Sequence, residues 1–273
     1  MSLKHLLVHV DSTPRAAERV ELAVTIARRS SARLVGLFAE VDQLGPSLVA
    51  KRTPDALRAA QEAAREVFTR RAGGAGVAND WWPIEAAAYG ELLELAATCC
   101  RYVDLAVLGQ RDPANERAPK DLVEQILLQS GRPVLVVPSG GHFADVGRRA
   151  VVAWTATREA ARAVNDAIPL VRDAELVHVV AFQRERERRH PLPMPPVDVV
   201  AHLAAHGIRA KLDLVVDVKE GETVLNAVLN HAFDVQADLT VMGGSGVTFP
   251  LPHALGTTKE VLRSMPTPVL LSH

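Results

Sequence analysis

The sequence predicts an α/β protein built from two tandem copies of one unit, each a parallel sheet covered by helices on both faces. Three observations predict it. Short apolar runs alternate with longer amphipathic stretches along the whole 273 residues. The apolar runs are continuous rather than alternating, as strands buried on both faces are. The pattern also occurs twice in the same order. Leu7–Thr13 answers to Val151–Thr157, and Ala32–Leu37 to Ala174–Val179. Val103–Gly109 answers to Ala237–Gly243, and Arg132–Val136 to Thr267–Leu271.

Each copy reads as five strands separated by four helices. In the first, strands are expected near 4–10, 33–39, 80–87, 104–108 and 133–137. Helices are expected near 14–30, 53–72, 90–101 and 119–130. The second has strands near 149–154, 175–182, 209–216, 238–242 and 268–272, with helices near 157–171, 196–206, 221–234 and 256–264. Crossovers between parallel strands are expected to be right-handed. The joint lies near Pro138–Arg148, a Gly- and Ser-containing linker. Expected domains are 1–140 and 147–273. A length of 273 residues suits two domains, and 48% hydrophobic residues can fill two cores.

Composition excludes several functions. A formal net charge of −1 and a pI near 6.8 argue against bulk binding to nucleic acid or anionic membranes. No signal peptide or membrane-spanning run is visible, so a cytoplasmic location is expected. Cys99 and Cys100 are adjacent in a helical run and face different ways, which argues against a structural disulfide.

The last stretch, Ala237–His273, carries the chemistry. Leu239–Met242 reads as a buried strand ending in Gly243-Gly244-Ser245-Gly246. After nine intervening residues, Gly256-Thr257-Thr258 opens a helical run, Thr257–Arg263. Glycines admit backbone N–H groups to an oxyanion, and a helix N-terminus adds orphan donors and a positive dipole end. A plain strand-to-helix turn would show the same local pattern. Neither a Walker loop nor a dinucleotide fingerprint is present.

The spacing Gly243-x2-Gly246-x9-Gly256-Thr257 resembles the nucleotide-binding signature of the universal stress protein family, Gly-x2-Gly-x9-Gly-Ser/Thr. The preceding strand and the PTPVLLSH ending are similar as well, and the resemblance covers nearly the whole chain. It implies two Rossmann-like domains with strand order 3-2-1-4-5. The ligand crevice is then where strands one and four lie side by side. It implies ATP or a related adenine nucleotide as ligand. Gly243, Gly246 and Gly256 would admit the phosphates, and Thr257 and Thr258 would donate to them. Thr155 and the backbone near Met242 would sit by the nucleoside. Mg2+ would accompany the phosphates, although no carboxylate is obviously placed for it.

The copies have diverged at this site. Asp112 stands where the second signature glycine belongs, and Asp121 falls at the counterpart of Gly256 with Glu124 in the next turn. These carboxylates would repel a phosphate, so the first copy is expected to have lost phosphate binding. Asp11 matches the acidic residue that ends strand one in the family, whereas the second copy has Thr155, after Trp154. Trp154 reads as core filling or as a base-stacking surface.

Other features are weaker. His202 and His206 have the i, i+4 spacing of a metal pair but no third ligand. The mixed-charge run Arg184–His190 and the proline-rich 191–196 read as a solvated loop over the mouth of the second sheet, or as a cationic lid. No catalytic set is found. The resemblance allows at most slow ATP hydrolysis or autophosphorylation. Family members pair through their fifth strands. Val134–Val137 beside Val269–Leu271 would make that pseudo-dimer within one chain, and a homodimer is a further expectation. The expected role is a stress-response protein whose nucleotide state alters the surface shown to a protein partner. The alternatives are an interaction protein with both sites decayed, and a weak ATPase.

Overall fold

The computed structural model describes residues 2–41, 55–86, 88–113, 115, 117–183, 197–216, 223–244 and 254–273, with the backbone alone at 182, 183, 215, 216 and 254–257. The chain divides into two compact units, Ser2–Ala144 and Asp145–His273.

In the first unit the elements are β1 (His5–His9), α1 (Ala16–Ser30), β2 (Arg33–Phe38), α2 (Asp55–Gly74) and β3 (Asn79–Pro83). They continue as α3 (Tyr89–Cys100), β4 (Leu105–Gly109), α4 (Leu122–Gln129) and β5 (Val134–Val137). The strands order β3-β2-β1-β4-β5, all parallel. This is the expected 3-2-1-4-5 order. Helix α1 packs with α2, and α3 with α4. That pairing follows from right-handed crossovers, which put helices leading left and right on opposite faces. Leu6, Leu7 and Val8 of the central strand are fully buried, as the continuous apolar run requires.

The second unit repeats the plan. Its elements are β6 (Arg149–Trp154), α5 (Arg158–Val171), β7 (Leu176–Gln183), α6 (Val199–Ala205) and β8 (Ala210–Val216). Then come α7 (Val224–Asp234), β9 (Leu239–Gly243), α8 (Ala254–Ser264) and β10 (Val269–Ser272). The order is β8-β7-β6-β9-β10, again all parallel. Thr157 caps α5 by accepting from the Ala160 amide at 3.2 Å, and Thr223 caps α7 through Asn226 at 3.1 Å.

One device recurs in both units. The Asp104 carboxylate accepts from the amides of Lys4 and His5 at 2.7 and 2.9 Å. Asp238, its counterpart, accepts from Gly147 and Arg148 at 2.7 and 3.0 Å. Each ties the entry of strand four to the entry of strand one and satisfies donors that the sheet leaves over. Gly147 is obligatory here. Its φ is +90°, and a Cβ would run into the Leu170 carbonyl.

Element ends differ from the sequence expectation in places. Strand β3 stops at Pro83 rather than 87, its last hydrogen bond to β2 running from the Ile84 amide to the Phe38 carbonyl at 2.9 Å. Helix α4 starts at Leu122 rather than 119, behind Pro119. Helix α8 begins at Ala254, so Gly256 and Thr257 lie within its first turn rather than opening it. Their amides are still among the first four, which have no intrahelical partner.

Among the described residues no helix is long and apolar enough to cross a membrane. Both cysteines are free, Cys100 is buried, and burial pushes its thiol well up.

Candidate functional site

The β1/β4 and β6/β9 pairs are the switch points of their sheets. From them the chain leads away to β2 or β7 on one side and to β5 or β10 on the other. Crevices form beyond the carboxyl ends of strands at such places. Asp11 and Gly109 meet there in the first unit, Thr155 and Gly243 in the second.

The first-unit crevice is lined by Asp11, Thr13, Arg19, Gly109, Asp112 and Pro138, among others. Arg19 dominates it. Helix α1 carries an apolar stripe through Ala16, Val20, Ala23 and Ala27, and Arg19 breaks that stripe while remaining only 3% exposed. Helical side chains lean toward the N-terminus, so the guanidinium reaches back over the end of β1. Its Nε donates to the His9 carbonyl at 2.6 Å and its Nη2 to Asp11 Oδ2 at 2.8 Å. A Cβ on Gly109 would land on Nη1. The glycine therefore makes room for an internal cation.

Neighbouring polar groups are engaged in part, while Glu40 Oε2 and His9 Nε2 are buried with no hydrogen-bond partner among the described residues. Asp11 Oδ1 accepts from the Thr13 amide at 3.0 Å and from its hydroxyl. Buried Glu40 accepts from the Ser12 amide, the Ser12 hydroxyl and Asn115 Nδ2, each at 2.9 Å. Burial raises the Asp11 pKa, but the Arg19 charge, the His9 charge and the Thr13 bonds outweigh it and hold the carboxyl below its ordinary range. His9 is lowered, chiefly by burial against the pull of Asp11. At the α4 entrance, Asp121 is the N-cap residue and accepts from the Tyr89 hydroxyl at 3.3 Å.

The second-unit crevice has different chemistry. Thr155 is exposed, with its Oγ1 3.4 Å from that of Thr157. Trp154 is half-buried at the end of β6. Met242 is buried in β9 opposite Ala153 and Leu271. Gly243 has a packing reason to be glycine, since a Cβ would stand 2.7 Å from the Ala160 amide nitrogen and 2.8 Å from the Glu159 carbonyl carbon. The first turn of α5 thus crosses directly over it. Thr258 is only 3% exposed, and its Oγ1 has no hydrogen-bond partner among the described residues. Gly246 lies outside the described residues, and Gly256 and Thr257 are described only as α8 backbone. The loop read at 184–196 is also outside them.

Of the residues singled out in the sequence, Thr155, Met242 and Gly243 gather at the ends of adjacent strands. His202 and His206 are exposed and stack edge to face at 5.0 Å with no third ligand among the described residues. Sequence reasoning missed Arg19. Its signal was a lone arginine in an apolar helical stripe.

The fold is that of the universal stress proteins, carried twice in one chain. A universal stress protein from Archaeoglobus fulgidus matches at 16% identity, over 99% of this chain and 96% of its own, with a TM-score of 0.72. A functionally unknown protein from Pseudomonas aeruginosa matches at 17% identity, over 99% of this chain and 92% of its own, with a TM-score of 0.59. No protein-family model and no curated protein matches the chain.

Proposed function

We propose that this chain is a stress-response protein of the universal stress protein family whose second unit binds ATP or a related adenine nucleotide. In this reading it is a nucleotide-dependent interaction module of the cytoplasm, with domains near 1–140 and 147–273, rather than an enzyme. The contrast between the two crevices carries the reading. In the first unit a buried Arg19–Asp11 pair fills the switch point. Counted along the repeat, the second unit has Ala163 and Thr155 at those positions, and Ala163 is a small buried residue. That crevice lacks the ion pair and retains the glycine–threonine signature. Thr258 supports it further, because a buried hydroxyl with no partner among the described residues is costly unless a ligand supplies one. Gly256, Thr257 and the α8 dipole would then face the phosphates, with Mg2+ as companion ion.

The test is thermal stabilisation by millimolar ATP and Mg2+. Gly246→Asp, which copies Asp112, should abolish the shift without lowering the ligand-free midpoint. Thr258→Val should reduce the shift while leaving the ligand-free protein as stable or more so. A wild-type chain that is folded yet shows no shift with ATP, ADP, AMP or cyclic AMP would replace this reading with that of an interaction protein whose sites have both decayed.

A further inference from the structure

We propose that His178, Asp213 and His231 of the second unit form a binding site for a first-row divalent transition metal of the zinc class. His178 is on β7, Asp213 on β8, and His231 in the last turn of α7. Their ligating atoms converge. His178 Nδ1 lies 2.8 Å from Asp213 Oδ2, His231 Nε2 lies 3.2 Å from the same oxygen, and the two nitrogens are 3.3 Å apart. Atoms bound 2.0–2.1 Å from a zinc ion stand about 3.3 Å apart in a tetrahedron, and about 2.9 Å apart when cis in an octahedron. The observed triangle spans that range, so one ion can touch all three with little rearrangement.

The donor set chooses the ion. Two imidazoles and one carboxylate suit zinc and its first-row neighbours, whereas Mg2+ and Ca2+ prefer all-oxygen sites. Three protein ligands leave a coordination position open to water. The carboxylate is already oriented, because Lys211 Nζ stands 3.3 Å from Oδ1 and leaves Oδ2 to the histidines. The His178 side chain is 10% exposed, Asp213 and His231 about a quarter, so the site is walled on one side and open to an arriving ion on the other.

A comparison of the two units shows that this cluster is an addition to the common fold. In the first unit the adjacent residues Arg33 and Leu34 donate to opposite neighbours, Lys4 and Ala78. In the second, Glu175 and Val177 do so, to Arg148 and Arg209, two residues apart. One extra residue therefore bulges at the start of β7. It shifts the pairing read from sequence by one and turns every later side chain to the other face. His178 thus corresponds to Val35, not to Gly36. By the same register Asp213 corresponds to Trp82, and counting from the helix caps His231 corresponds to Ala96. Three non-ionisable side chains of one unit are replaced by three metal-ligating ones in the other.

The experiment uses the full-length chain without an affinity tag, stripped of metal and dialysed against Zn2+. The wild type should bind one equivalent. Asp213→Asn and His231→Gln should each weaken binding at least about a hundredfold, given that loss of even a ligand's hydrogen-bond partner costs 10–100-fold. His202→Gln should leave it unchanged. On the wild type, long-range proton–nitrogen spectra of the histidine rings should show the Zn2+ shift at Nδ1 of His178 and Nε2 of His231, a readout that survives even if a variant fails to fold. Undiminished binding in both ligand variants, a shift confined to His202 and His206, or no stoichiometric binding at all would overturn the site.

Discussion

Replacing Arg19 by methionine tests the account of the first-unit crevice most directly. Methionine keeps much of the aliphatic bulk and removes the charge and the hydrogen bonds to His9 and Asp11. Asp11 is 8% exposed, so its carboxylate would stay in place without the cation that offsets its desolvation. Breaking a buried pair in this way costs about 3–5 kcal/mol, far more than the ~0–1 kcal/mol of a surface pair. Thr13 still donates to Asp11 Oδ1, which argues for the lower end of that range. Arg19→Met with Asp11→Asn removes both charges and should recover much of the loss. The assay is urea unfolding followed by tryptophan fluorescence in a Trp154→Phe background. The signal then comes from Trp81 and Trp82 of the first unit alone. Gly109→Ala supplies an independent arm. It should destabilise the parent chain, where the new methyl meets Arg19 Nη1, and be tolerated once Arg19 is methionine. A loss below about 1 kcal/mol for Arg19→Met, or equal effects of Gly109→Ala in both backgrounds, would refute a buried ion pair filling the crevice.

Gly243→Ala should destabilise the second unit by roughly 1–3 kcal/mol, because the methyl meets backbone atoms of α5 that cannot swing aside. Urea midpoints measured in a Trp81→Phe, Trp82→Phe background, where Trp154 alone reports, check this, and an unchanged midpoint would remove the packing role. The first unit should also lose stability as pH falls. The folded His9 pKa is depressed by burial from 6.5, so below 6.5 the unfolded chain binds the extra proton and stability declines with falling pH. Asp11, held below 3.8, adds a second loss once pH falls through its folded pKa. The first-unit urea midpoint should drop between pH 7 and 5, and His9→Leu should flatten that window. An equal drop in His9→Leu would show that other groups are responsible.

The fold was largely readable from the sequence because continuous apolar strands and helical stretches are local properties, and a repeat states them twice. The divergence of the glycine signature was readable for the same reason, since Asp112 occupies a position fixed by counting. Face and partner were harder to read. A strand buried on both faces carries no alternation to say which side a residue takes, so the extra residue at the start of β7 was invisible and Gly36 was matched to His178.

What the sequence alone determined is the order and type of the elements, the duplication, and which copy keeps the glycine–threonine spacing. Tertiary structure alone decided that Arg19 turns back into the first crevice, that Gly243 lies under α5, and that His178, Asp213 and His231 converge. The last three are 35 and 53 residues apart along the chain, counted from His178. The physical reason is that these contacts depend on strand register and helix approach, quantities set by the packing of the whole unit rather than by any stretch of residues within it.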